Sequence, residues 1–208
     1  MESEGDSDAA LMLKVQEGDF VAFESLVDKY KQPVINIVAR MIRDPVEAED
    51  IAQKVFLQVF KASARYQVKA KFSTWLFTIA RNLGLNELRR RSRRPTSSLD
   101  AGGGSDAEQP IDWQIEDRQG AGADEAALQS ELTTKIDEVL GELPVNQRTA
   151  IVLLKEKGLS YDDIAGILGC SVSAVKSLIH RGRETIKARI KPYMVDGFWD
   201  RNAKEASR

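Results

Sequence analysis

The amino-acid sequence predicts an all-α fold: two small helical domains joined by a flexible acidic linker, the C-terminal one a helix-turn-helix. Three observations carry this. Apolar residues recur every three or four positions over most of the chain, no sustained strand-like alternation occurs, and a glycine-rich acidic stretch separates two periodic regions. Residues 8–94 read as the first domain, 95–122 as the linker, 123–192 as the second domain and 193–208 as a tail. A chain of 208 residues, 42% of them hydrophobic, is long enough for one domain or two small ones.

In the first domain Phe23, Leu26, Val27, Tyr30, Val34, Ile37, Val38 and Met41 repeat at helical spacing, and Pro33 is expected to kink or divide that helix. Asp44-Pro45-Val46-Glu47 reads as the next helix start: a capping carboxylate, proline at the first position, and an acid placed to complete a capping box. The helix it opens has a core face of Ala48, Ile51, Ala52, Val55, Val59 and Ala62, and an opposite face of Asp50, Gln53, Leu57 and Phe60. Large apolar residues on that outer face point either to a protein-docking surface or to a second layer of the domain covering Leu57 and Phe60.

The connection Tyr66 to Lys71 follows, and Ser73 is the expected N-cap of the helix after it. There Trp75, Thr78, Asn82, Asn86, Arg89 and Arg93 share one face, while Phe72, Leu76, Ile79, Ala80 and Leu83 supply the core contact. An aromatic ring stacks on a base, amides bond to base edges, and guanidiniums pair with phosphates. That face, with Tyr66, Lys69 and Lys71 in the connection and Arg90 beside it, is therefore the candidate surface for single-stranded DNA. Its bland alternative is a solvated polar face, with Phe72 in the core and Trp75 at the core's edge.

Charge segregates sharply along the chain. From Lys61 to Arg94 ten basic residues stand against the single acid Glu87, whereas from Pro95 to Ala126 eight acids stand against Arg118 alone. A polyanion-binding surface beside a segment that repels polyanions is the consequence. The run Ala101-Gly102-Gly103-Gly104-Ser105 inside the acidic stretch marks it as a tether.

In the second domain Leu143-Pro144 opens a helix to about Lys157, with Gly158 placed to end it. Ser160-Tyr161-Asp162-Asp163 is a second capping box; its short helix ends at Gly169, and Ser171 or Ser173 restarts the chain as a helix running to about Lys191. Helix, glycine turn, helix is the helix-turn-helix layout, here over about 160–181, with Ala165 small enough for a close crossing and Val175 as anchor. Val172, Val175, Ile179, Ile186 and Ile190 face inward on the last helix, leaving Ser173, Ser177, His180, Arg181, Glu184 and Lys187 outward. Ser171, Ser173, Lys176, Ser177, His180 and Arg181 are the candidates for base edges or nearby backbone, and Arg183 and Lys187 for phosphates.

Other chemistries find no support. Cys170 is the single cysteine, so neither a disulfide nor a cysteine-based metal cluster is expected, and it reads as a small buried residue of the turn. His180, the one histidine, lies on an exposed face without ligand-spaced partners, so no metal or catalytic role and no cofactor is expected. Walker loop, dinucleotide fingerprint and activated nucleophile are all absent, so no enzyme is expected. No run of about 18 apolar residues occurs and the N-terminus is acidic at Glu2, Glu4, Asp6 and Asp8, so a cytoplasmic location without membrane insertion is expected.

These motifs together resemble the extracytoplasmic-function sigma factors of bacterial RNA polymerase. The resemblance rests on Asp44-Pro45-Val46-Glu47-Ala48-Glu49-Asp50-Ile51-Ala52-Gln53-Lys54-Val55-Phe56, on Phe72-Ser73-Thr74-Trp75-Leu76-Phe77-Thr78-Ile79-Ala80-Arg81-Asn82, and on Leu159-Ser160-Tyr161-Asp162-Asp163-Ile164-Ala165 through Val175-Lys176-Ser177, in that order. It implies core RNA polymerase (β′ clamp and β), promoter DNA both duplex and single-stranded, and an anti-sigma factor as partners. It further implies that Asp50, Gln53, Lys54 and Leu57 lie on the face docking to the β′ clamp. The helix of Trp75, Asn82 and Asn86 would open the −10 element, and the helix-turn-helix would read the −35 duplex. Lys54 departs from the family pattern, where an acid is usual. A helix-turn-helix regulator acting without polymerase leaves the first 94 residues unaccounted for, and a pure protein-interaction module predicts no DNA affinity.

Overall fold

The computed structural model describes residues 4–93, 123–156 and 158–193, and every regular element among them is helical. In chain order these are α1 (Glu4–Gln16), α2 (Phe20–Ile42), α3 (Pro45–Ala62), a 3₁₀ turn (Ser63–Arg65), α4 (Phe72–Arg93), α5 (Ala123–Glu142), α6 (Val145–Lys155), α7 (Tyr161–Leu168) and α8 (Val172–Tyr193). The expected linker at 95–122 and tail at 193–208 lie outside the described residues, apart from Tyr193.

Local chemistry sets the boundaries of α2 and α3. Asp19 caps α2 by accepting from the N–H groups of Val21 (2.9 Å) and Ala22 (3.1 Å), and Arg43 ends it in the left-handed region at φ 58°. Asp44 caps α3 by accepting from Glu47 N–H at 2.9 Å; the Glu47 carboxylate does not complete the expected box but faces Arg90 (3.7 Å) and Lys54 (3.9 Å). Two further expectations bear on these boundaries. Pro33 does not divide α2, because Tyr30, Val34, Ile37 and Val38 are all buried around the proline and hold both halves in one core. Ser73 is not the cap of α4: the helix already begins at Phe72, with Trp75 N–H bonding to the Lys71 carbonyl at 3.2 Å.

α2, α3 and α4 form a bundle, with α1 laid across α2 and α4. α1 is fastened at Asp8, whose buried carboxylate accepts from Lys29 Nζ (2.8 Å) and from the Tyr30 hydroxyl (2.5 Å). Phe72, Leu76 and Ala80 of the expected inner face of α4 are fully buried, whereas Ile79 and Leu83 are only half-buried against the core and Phe77, outside the expected face, is buried. α4 meets α2 closely at Gly84, where a Cβ would stand 1.8 Å from the Met41 terminal methyl.

The second half follows the expected chemistry more closely. Ser160 and Asp163 form the complete capping box of α7, which ends at Gly169 in the left-handed region (φ 63°). Ser171 restarts the chain, accepting from Ala174 N–H (3.2 Å) through its side chain and from Val175 N–H (3.0 Å) through its carbonyl. Val175 and Ile179 of α8 are buried against α6 and α7. A smaller cluster of Leu140, Leu143 and Ile151, with Ile136 and Ile186 against it, joins α5 to α8.

The two halves are not held by a tether alone. α7 packs on α4, and α6 and α5 on α2; buried Met41, Leu76 and Phe77 share one apolar cluster with Ala150, Leu153, Ile164 and Ile167. Arg148 of α6 is 5% exposed, its Nη2 donating to the Met41 carbonyl at 2.8 Å and its Nη1 to the Gly141 carbonyl at 2.9 Å. Burial pushes the Arg148 pKa down, with nearby Arg43 adding to the effect.

Candidate nucleic-acid interface

Two exposed cationic surfaces stand out, one per half. On α4, Asn82, Asn86, Arg89 and Arg93 are all solvent-exposed on one face. Asn86, Arg89, Arg90 and Arg93 line an open depression, so one amide and three guanidiniums border it. An open cationic basin of this kind accepts a backbone that lies across it rather than a small molecule that enters it.

The guanidiniums near it divide into held and free. Arg90 donates to Glu87 from Nε (2.6 Å) and Nη2 (2.8 Å), and Arg91 from Nε at 3.0 Å while its Nη2 reaches Asp44 at 2.8 Å. Hydrogen bonds from Arg90 hold the Glu87 carboxyl at about 2, against the opposing effect of burial and with Arg91 assisting. Arg90, a candidate phosphate partner by sequence, is therefore committed to an internal fork that stiffens the end of α4. Arg89 reaches only Asn86, at a long 3.4 Å.

The connection before α4 differs more from its sequence reading. Tyr66 is only 6% exposed, its ring 5.0 Å from that of Trp75 and 6.4 Å from that of Phe72, so in this arrangement it belongs to the core and offers no face to a base. Its hydroxyl is buried without a hydrogen-bond partner, and burial pushes its pKa up, with Asp8 adding to the shift. Trp75 is half-buried at the core's edge and Lys69 is exposed. Lys71 is engaged by the second half: its Nζ donates to Asp163 Oδ2 (2.9 Å) and to the Gly158 carbonyl (3.0 Å).

On α8 the outward residues Ser173, Lys176, Ser177, His180, Arg181, Arg183 and Lys187 are all exposed, as is Ser171 at its cap. The Lys176 ammonium lies 6.0 Å from the Tyr161 ring centre, where α7 and α8 meet at the turn. Cys170 is half-buried in that turn and packs against the core.

A third surface is apolar. Asp50, Gln53, Lys54 and Leu57 of α3 are exposed, and Leu57 (59%) and Phe60 (40%) are not covered by a second layer, although Phe20 and Phe23 pack against the Phe60 ring at 5.8 and 5.2 Å. Sequence reasoning missed Phe20 as part of this patch; its signal was only an apolar residue directly after the Asp19 cap.

Residues 26–94 match the family described as sigma-70 region 2, and residues 133–186 match sigma-70 region 4. The RNA polymerase sigma-H factor of Pseudomonas aeruginosa is 35% identical over 190 residues, 91% of this chain and 96% of that protein. The chain belongs to the extracytoplasmic-function sigma factors. Another relative is the sigma factor SigW of Bacillus subtilis, 35% identical over 179 residues, 86% of this chain and 94% of that protein. The fold is shared with the sigma factor RpoE of Bartonella quintana, solved in complex with the anti-sigma factor NepR: TM-score 0.63 at 24% identity, covering 81% of this chain and 96% of that one. In this sigma factor the region 2 match thus carries the α3 and α4 surfaces, and the region 4 match carries α7 and α8. Among the described residues no single helix is long and apolar enough to cross a membrane, and no group of three or more histidine, cysteine or acidic residues is placed to hold a metal.

Proposed function

We propose that this sigma factor directs core RNA polymerase to promoters by a division of labour between α4 and α8, with α4 capturing the displaced −10 strand and α8 reading intact −35 duplex. The observation that carries it is the pair of exposed polar faces, amides and arginines on α4, serines, His180 and Arg181 on α8, each backed by a buried apolar face. Amides and open arginines suit bases already out of the stack, whereas a helix after a glycine turn suits the major groove. Unstacking costs a few kcal/mol per base and stacking on protein returns about 1–3 kcal/mol each, so nucleation needs no catalysis by this chain. It acts in the cytoplasm as a non-enzymatic subunit.

Trp75 and Lys69 border the α4 face and extend it toward the connection. Arg90 serves by holding the end of α4 rather than by touching DNA. Docking to the polymerase β′ clamp falls to Asp50, Gln53 and Leu57, with Lys54 presenting a cation there and Phe20 and Phe60 enlarging the apolar contact. The second half contacts the β subunit, and an anti-sigma factor covers these surfaces when the chain is idle. Run-off transcription with core polymerase and a library of upstream sequences tests the reading. Enrichment of a paired −35/−10 motif supports it, and products independent of the upstream sequence contradict it.

A further inference from the structure

Where α7 and α8 meet, one contact serves neither the core nor the capping chemistry. Tyr161 is the first residue of α7 and stays 37% exposed, a large ring on a helix whose start is complete without it. The Ser160 hydroxyl accepts from Asp163 N–H at 3.1 Å, and the Asp163 carboxylate accepts from Ser160 N–H at 2.8 Å. Inward packing is met by Ile164, Ala165, Ile167 and Leu168. The Tyr161 ring instead faces Lys176 of α8, whose ammonium lies 6.0 Å from its centre, at the outer limit of a cation–π contact.

The backbone fixes this meeting of side chains. The capping box pins the start of α7, Gly169 turns the chain at φ 63°, and Ser171 restarts it by accepting from Ala174 N–H. Val175 is fully buried, which sets the roll of α8 and leaves Lys176, its chain neighbour, on the flank beside α7. Lys176 also lies in the second turn of α8, within the N-terminal part from which a recognition helix reaches base edges. Arg189, farther along α8, pairs with Glu142 at 3.1 Å, whereas Lys176 has no ion-pair partner among the described residues. A ring, not a carboxylate, is what holds it.

A lysine ammonium is a compact charge on a flexible four-carbon stem, and on a helix laid in a DNA groove the nearest strong acceptors are phosphates, which carry no sequence information. Reading a base requires the ammonium to be held over the groove floor, where guanine offers O6 and N7 as acceptors. We propose that Tyr161 is a positioning residue for −35 reading: its ring holds the Lys176 ammonium off the phosphate backbone and directs it to the acceptor edge of one guanine. The hold strengthens on docking, because duplex displaces water from the pair and a ring attracts a cation more strongly when both are desolvated. Tyr161 thereby sets the choice of one base pair without touching a base. It acts only through α8 as the duplex reader, the role proposed for that helix above.

The test uses holoenzyme, assembled from core polymerase and the full chain, on duplexes in which each −35 base pair is varied in turn. Wild-type preference among −35 base pairs reports duplex reading by itself. Lys176→Ala should abolish the preference at one base pair. Tyr161→Leu keeps apolar bulk without a π face, and should lower the preference at that same base pair by about two- to fivefold while the others change by less than about twofold. In a Lys176→Ala background it should have no further effect there. Tyr161→Phe keeps the ring and should read as wild type. Salt titration adds an independent readout: once Tyr161→Leu frees the ammonium to meet phosphate, Lys176→Ala should lower the salt slope by about one, and by less in the wild-type chain. Equal loss with Tyr161→Phe and Tyr161→Leu overturns the proposal, because the hydroxyl rather than the ring is then the working group. So does a Tyr161→Leu effect spread evenly over the −35 base pairs, the mark of a merely structural role. Lys176→Ala that relaxes no base pair, in a chain whose wild type discriminates, overturns the proposal and spares the duplex reading; a wild type without −35 preference removes both.

Discussion

Asn82 and Arg181 are the residues on which the division of labour is sharpest, because each is exposed and neither is held by an internal ion pair among the contacts described. Asn82→Ala should slow promoter opening by up to about a hundredfold, the equivalent of about 1–3 kcal/mol for a lost base contact, while leaving duplex binding nearly unchanged. Arg181→Ala should do the reverse, weakening upstream duplex binding and, if its contact is to phosphate, lowering the salt slope by about one. Stopped-flow opening and salt-titrated binding measure the two; equal loss of both steps in both variants contradicts the division. Glu87 makes a different prediction. Its folded pKa of about 2 lies below its ordinary value of 4.5, so its charge stabilises the fold above about pH 4.5 and that contribution is lost as pH falls toward 2. Thermal melting should drop across that window, and Glu87→Gln should flatten the drop; an unchanged slope contradicts the Arg90–Glu87–Arg91 fork. The sequence marked Glu87 only as the lone acid in a basic run, because a fork depends on which arginines turn back along the helix, and periodicity does not carry that. Tyr66 was misread for a related reason: a tyrosine among lysines has the composition of a stacking site, yet its burial against Trp75 and Phe72 is decided by the turn it sits in.

Helices were the most legible level, wherever they start or stop on side-chain chemistry readable in order. Asp44-Pro45, the Ser160–Asp163 box, Gly169 and Ser171 all act where they were expected to act. Pro33 and Ser73 were exceptions. In both, tertiary burial outweighed a local signal: the apolar residues flanking Pro33 keep α2 whole, and Phe72 is drawn into the core one position ahead of Ser73. Gly84 was legible to no pattern argument, as its role is the close approach of α4 to α2. A Cβ there would stand 1.8 Å from the Met41 methyl, so Gly84→Val should destabilise the first half by about 1–3 kcal/mol through overpacking. Denaturant titration checks it, with a lower midpoint and an unchanged slope expected; a raised midpoint would mean that the Met41 methyl moves aside freely and that α4 and α2 are less tightly apposed than described.

At the scale of the molecule, the two-part organisation was readable from the acidic glycine-rich stretch, but the packing of the parts on each other was not. That packing uses Met41, Thr74, Arg148 and Asp163, residues whose local roles in helix, core and cap are complete without it, so nothing in their spacing announces a second partner. A long glycine-rich connection and a closed interface are compatible, because the length of the connection limits only how far the halves can separate. The account as a whole claims that α4 grips an opened strand while α8 holds duplex upstream, both delivered by core polymerase. The most direct measurement is the fluorescence of 2-aminopurine placed in the −10 region of a promoter recovered from the library. Fluorescence should rise when the chain and core polymerase are added together, remain flat with either alone, and rise far more slowly with Asn82→Ala. A promoter that stays paired in the presence of both, or opens equally fast with core polymerase alone, contradicts the claim.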